Sequence, residues 1–160
     1  MLQAEILRPG ELSDAQTDAW RATQAATPAF ASPLLGPDFA SAVAAVRADA
    51  AVAVYSRQGR TVGFLAHHRR PDGMARPIGA TWSDYHGLVS EPWEIIDASA
   101  ALSAAGLNAY RFTSLVDPEG LFTRSAFGAH DAYRIAAAGD GEAYWAVSYT
   151  HLTLPTILRV

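Results

Sequence analysis

Two β-rich runs, Ala51 to Ser56 and Arg60 to Arg69, are separated only by Arg57, Gln58 and Gly59. So short a connection makes the runs pair antiparallel as a hairpin. Both strands are expected at or near the centre of a sheet.

The segments around the hairpin supply its partners. Leu2 to Leu7 reads as a strand, and Ser13 followed by Gln16 is a capping-box pattern that opens a helix to about Ala26. Ala15, Ala19, Ala22 and Ala26 are expected to line one face of it. Pro37 fits the first turn of a second helix, in which Phe39, Val43 and Val46 recur at helical spacing. Beyond the hairpin, Pro71 to Gly79 is turn-rich and Ser83 to Gly87 is a polar, aromatic loop. A third helix is predicted from about Trp93 to Ala105, stopped by Gly106, with Ile95, Ala98, Leu102 and Ala105 buried. Ala109 to Leu115 alternates like a strand. Ala132 to Ala137 could add another, and a helix is expected to open in Asp140 to Ala146. This order predicts an α/β or α+β fold, a mixed and largely antiparallel sheet flanked by helices.

Bulk properties narrow the function. With 160 residues, 50% of them hydrophobic and 18% charged, the chain can bury a real core. A net charge of -4 gives no electrostatic reason to bind nucleic acid. The absence of cysteine removes disulfides, thiolate metal sites and cysteine nucleophiles. No secretory leader pattern opens the chain and no stretch of about 18 apolar residues occurs in it, so no membrane span and a cytoplasmic location are expected.

From Val147 the composition changes: VSYTHLTLPTILRV contains neither acid nor alanine, although both abound before it. Written backwards into codons, Val147 to Thr156 resembles a transposon adapter of sequencing libraries. Residues 147–160 are therefore expected to be a non-native tail, which would leave His151 without functional weight.

The stretch FASPLLGPDFASAVAAVRADAAVAVYSRQGRTVGFLAHHRR and the later ARPIGATWSDYHGLV resemble the N-terminal half of bacterial CelD-like, FemAB-related acyltransferases, over roughly residues 28–146. The resemblance implies two GNAT-like domains in tandem, tied to cellulose or exopolysaccharide biosynthesis, with acyl-CoA bound and used by the second. Residues 1–139 would then be the accessory domain, residues 140–146 the start of a truncated catalytic domain, and the missing C-terminal domain the chief partner. Acyl-CoA would be the cosubstrate of the intact parent, with no cofactor in this fragment. The order strand, helix, helix, hairpin strands, helix, strand is also the order a GNAT fold requires.

Candidate chemistry is sparse. A GNAT enzyme holds the CoA pyrophosphate on amides of an [RQ]-x-x-G-x-[GA] loop between a strand and a helix. Arg70, Gly73 and Ala75 match the string, but Pro77 and Gly79 follow where a helix should begin, which favours a plain hairpin turn. His67 and His68 are strand neighbours pointing to opposite faces, so they cannot share one ion. With Arg69 and Arg70 they read as a solvated strand end with room for one buried imidazole. Ser83, Asp84, Tyr85, His86 and Gly87 pack an acid, a phenol and an imidazole into one loop that could grip an acceptor such as a saccharide. Three readings of this loop stand: acceptor binding, an ordered loop whose Asp caps a turn and whose Tyr packs, and general base catalysis by His86.

Two functions from different classes follow. One is the acceptor-binding, non-catalytic half of an acyltransferase acting on an amine or hydroxyl. The other is a stand-alone GNAT-shaped domain that binds a ligand or protein without chemistry. On the first reading Leu121, Phe122, Phe127, Tyr144 and Trp145 are expected to form an apolar face for the second domain.

Overall fold

The computed structural model describes residues 1–129. Along the chain run β1 (Leu2–Leu7), α1 (Asp14–Ala26), α2 (Pro37–Val46), β2 (Ala50–Arg57), β3 (Arg60–Arg69) and β4 (Met74–Pro77). They are followed by β5 (Val89–Ser90), α3 (Ala98–Ala104) and β6 (Ala109–Tyr110). The expected strand at Ala132 to Ala137, the helix start at Asp140 to Ala146 and the tail at 147–160 lie outside the described residues.

The hairpin forms as expected. Gln58 and Gly59 both take positive φ, 54° and 79°, the conformation a two-residue turn needs to match the twist of its strands. The six-stranded sheet runs β1-β2-β3-β4-β6, with β5 also on β3, so β2 and β3 are internal. All pairs are antiparallel except β4 with β6. That parallel pair needs a crossover, which the chain makes through β5 and α3. The fold is therefore mixed α+β, with an open, mostly antiparallel sheet. A register shift between Tyr55 and Ser56 marks a bulge at Val62 of β3, which has no partner of its own on β2. It lets Val62 and Leu65, three apart, enter the same core.

Each face of the sheet carries its own core. On one, Tyr55, Leu65, Ala75, Ala101, Leu107 and Phe122 pack beneath α3, and the Tyr55 hydroxyl donates to the Ala101 carbonyl at 3.1 Å. On the other, Trp20 stacks on Phe64 with ring centroids 5.0 Å apart, among Phe30, Leu35, Val52 and Val54. The Trp20 indole N–H donates to the Leu35 carbonyl at 2.9 Å, so this large ring is buried with its polar atom satisfied. Truncating Trp20 to alanine would cost about 3–5 kcal/mol.

Local signals held and face assignments shifted. Ser13 and Gln16 form the capping box, each side chain meeting the other's backbone N–H. The buried face of α1, however, is Trp20 and Thr23 with Ala19 beside them, while Ala15, Ala22 and Ala26 are exposed. Burying one indole outweighs burying three methyls, so tryptophan sets the helix rotation. The third helix spans only Ala98–Ala104, because Asp97 caps it by accepting from the N–H groups of Ser99 and Ala100. Trp93 lies before it with φ of 62°. The predicted strand from Ala109 pairs with β4 only at Ala109 and Tyr110, and the Arg111 N–H adds one more bond, to the Ala75 carbonyl at 3.1 Å. No helix among the described residues is long and apolar enough to cross a membrane.

Candidate functional site

The chain leaving β4 folds back over the sheet and is tied down by two histidines. His68 Nδ1 lies 3.2 Å from Asp49 Oδ1, and its Nε2 accepts from the Gly79 N–H at 3.1 Å. An amide can only donate, so Nε2 is bare and Nδ1 carries the proton. Arg47 grips the same carboxylate at 3.0 and 2.9 Å, and this hydrogen bonding holds the Asp49 carboxyl down at about 2.

The second tie comes from the predicted loop itself. Ser83 Oγ sits 2.8 Å from the Ile78 carbonyl and 2.7 Å from His86 Nε2. His86 Nδ1 lies 2.6 Å from the Thr113 carbonyl, which can only accept, so the imidazole proton is on Nδ1. The backbone joins in: His86 N–H donates to Ser114 O at 3.3 Å and Val116 N–H to His86 O at 2.7 Å. A Cβ on Gly87 would stand 2.8 Å from the Val116 carbonyl, so only glycine lets these segments approach. A polar chain thus runs from Arg47 through Asp49 and His68 to Gly79, and from Ile78 through Ser83 and His86 to Thr113.

Burial pushes the His86 imidazole below its ordinary value, against the opposing pull of the Thr113 and Ser83 contacts. In the neutral form one hydroxyl proton on Ser83 faces two acceptors, Nε2 and the Ile78 carbonyl. The spacing is that of a nucleophile and its base. Both side chains, however, are buried, at 5% and 4% exposure, and His86 Nε2 is turned to Ser83 and not to solvent.

The five loop residues therefore divide. Ser83, His86 and Gly87 are buried, and Tyr85 is half-buried against the α1 and α2 core. Asp84 is exposed, and so is Trp82 at 95%. The loop thus exposes an indole and a carboxylate above a buried, hydrogen-bonded base.

His67 and His68 are both buried, not part of a solvated end. Their strand is internal, with β2 and β4 on either side, and only Arg69 and Arg70 clear the sheet. Among the described residues His67 Nε2 has no hydrogen-bond partner, and no three His, Asp or Glu side chains gather as a metal site.

Arg70 to Ala75 is the turn between β3 and β4, as the prolines implied. Its amides are consumed internally: Arg70 N–H on Met74 O, Gly73 N–H on Arg70 O and Met74 N–H on Asp72 Oδ1. No helix opens there, so the turn does not fit a CoA pyrophosphate.

A second loop, residues 91–97, is clamped by Arg60 on Glu91 and Glu94 and by Arg57 on Glu94. It presents Trp93 and Ile96, each 73% exposed. Phe127 is fully exposed, whereas Phe122, expected on the same apolar face, is buried at 5%. Phe122 packs with Tyr110 and Phe112, at 6.1 and 5.6 Å between centroids. Leu121 is half-buried, and Tyr144 and Trp145 lie outside the described residues. No family model matches this chain, and no curated protein or solved structure matches it either.

Proposed function

We propose that residues 1–139 are the non-catalytic, acceptor-binding domain of a CelD-like, FemAB-related acyltransferase, with a missing C-terminal GNAT domain as partner. The intact parent would transfer an acyl group from acyl-CoA to an amine or hydroxyl, with polysaccharide biosynthesis as the setting the resemblance implies. The observation that carries this reading is the order of elements. Strand, two helices, hairpin strands, helix and parallel strand follow one another from β1 to β6. The exposed indoles of Trp82 and Trp93, with Ile96 and Phe127, support an apolar contact with a second domain. The locked Ser83–His86 base supports acceptor contact through Asp84, Tyr85 and Trp82.

The test uses acetyl-CoA and the intact gene. The full-length parent should turn over acetyl-CoA with an amine or hydroxyl acceptor, while the present chain alone neither turns it over nor binds it at micromolar levels. Saturable binding by the present chain, lost on Gly73→Pro, would restore the β3–β4 turn as a CoA site and overturn the assignment. The burial of Phe122 favours a second reading, a stand-alone binding domain. A stop codon after codon 146 in the intact gene would decide for it.

A further inference from the structure

At the end of the sheet where β1 and β3 finish and β2 begins, a cavity of about 470 Å³ is lined by Arg8, Arg69 and Arg70 together with Glu11 and Asp49. We propose that this cavity binds a small oxyanion, a phosphate or carboxylate group carried by a small molecule.

The chain is acidic overall, yet three of its twelve basic residues line this one cavity. Among the described residues none of the three guanidiniums has a carboxylate at ion-pair distance. Asp49 does not neutralise them, because Arg47 and His68 hold it. Glu11 is turned onto the backbone N–H of Arg8 at 3.0 Å.

The arginines are also positioned to different degrees. Arg8 donates to the Ala44 and Ala48 carbonyls at the end of α2, at 3.2 and 3.5 Å, which fixes its planar group in place. Arg69 makes one long contact, 3.5 Å to the Gly106 carbonyl. The Arg70 side chain makes no hydrogen bond among the described residues, so most donors of this cluster are free. A guanidinium presents its donors as a rigid fork that matches carboxylate and phosphate oxygens. The site uses side chains and not the turn amides, which distinguishes it from a CoA pyrophosphate loop.

The experiment is titration calorimetry on the full chain at low ionic strength, with inorganic phosphate and, separately, citrate. Saturable one-to-one binding of at least one is expected: phosphate alone would indicate a phosphoryl ligand, citrate alone a polycarboxylate. Arg70→Gln, at an exposed position holding nothing in the fold, should weaken binding about tenfold, the loss of one charge-assisted contact. Glu11→Gln should tighten it by removing a negative charge from the cavity lining. Arg76→Gln, an exposed arginine outside the cavity, is the control and should change nothing. Failure of both anions to bind the folded protein, or equal weakening by Arg70→Gln and Arg76→Gln, would overturn the site.

Discussion

Ser83 Oγ and His86 Nε2 stand 2.7 Å apart, both side chains buried, and between them they fasten the loop after β4 to the segment after β6. Removing the hydroxyl in Ser83→Ala leaves a buried imidazole nitrogen and the Ile78 carbonyl without their partner. A loss of about 1–3 kcal/mol is expected, read as a lower urea midpoint with an unchanged slope. An unchanged midpoint would show that the contact carries no weight and would reopen Ser83 and His86 as ligand groups.

The two histidines buried with lowered values give the protein a pH profile. For His67 and His86 burial is the leading cause, and the ordinary value is 6.5. Below 6.5 the unfolded chain takes up protons that the folded chain resists, so stability should fall as pH drops from about 7 to about 5. Asp49 adds a second loss: its carboxyl is held from 3.8 down to about 2 by Arg47, and that stabilisation is full above 3.8 and disappears as pH falls through 2. Urea midpoints across this range check both windows. A midpoint that rises between pH 7 and pH 5 would contradict the first.

Gly87→Ala places a methyl 2.8 Å from the Val116 carbonyl, a backbone atom that cannot swing aside. The segment after β6 must move, and a cost of about 1–3 kcal/mol is expected. Gly10→Ala, where a Cβ meets nothing within 4 Å, is the matched control and should be neutral. Hydrogen exchange at Val116, whose N–H donates to His86 O at 2.7 Å, should accelerate in Gly87→Ala alone.

Trp93 combines a positive φ of 62° with 73% exposure, so its backbone is costly while its ring contributes little to the core. Trp93→Gly should therefore leave stability unchanged or raise it by about 1 kcal/mol. On the proposed two-domain reading, association with a C-terminal domain supplied in trans should weaken in the same variant. A stability loss above about 1 kcal/mol would show that the indole is packed and not offered to a partner.

What the sequence alone determined was local. The hairpin through Gln58 and Gly59, the capping box of Ser13 and Gln16, the turn at Arg70 to Gly73 and the helix stop before Gly106 each depend on residues within a few positions of one another. Backbone conformation and nearest-neighbour hydrogen bonds decide such features, and both are written in adjacent letters. Tertiary structure decided which faces meet. The rotation of α1 toward Trp20 required Phe64 from β3 as the surface to stack on. The burial of both His67 and His68 required β4 to cover a strand whose own residues looked solvated. Phe122 looked free as an interface residue until Tyr110 and Phe112 enclosed it. The Ser83–Asp84–Tyr85–His86–Gly87 loop was legible as a cluster of chemical groups. Its division into a buried lock and an exposed indole and carboxylate was not, because Thr113 and Ile78 supply the acceptors. These contacts join residues far apart in the chain, and their energies exist only once the sheet has brought the segments together.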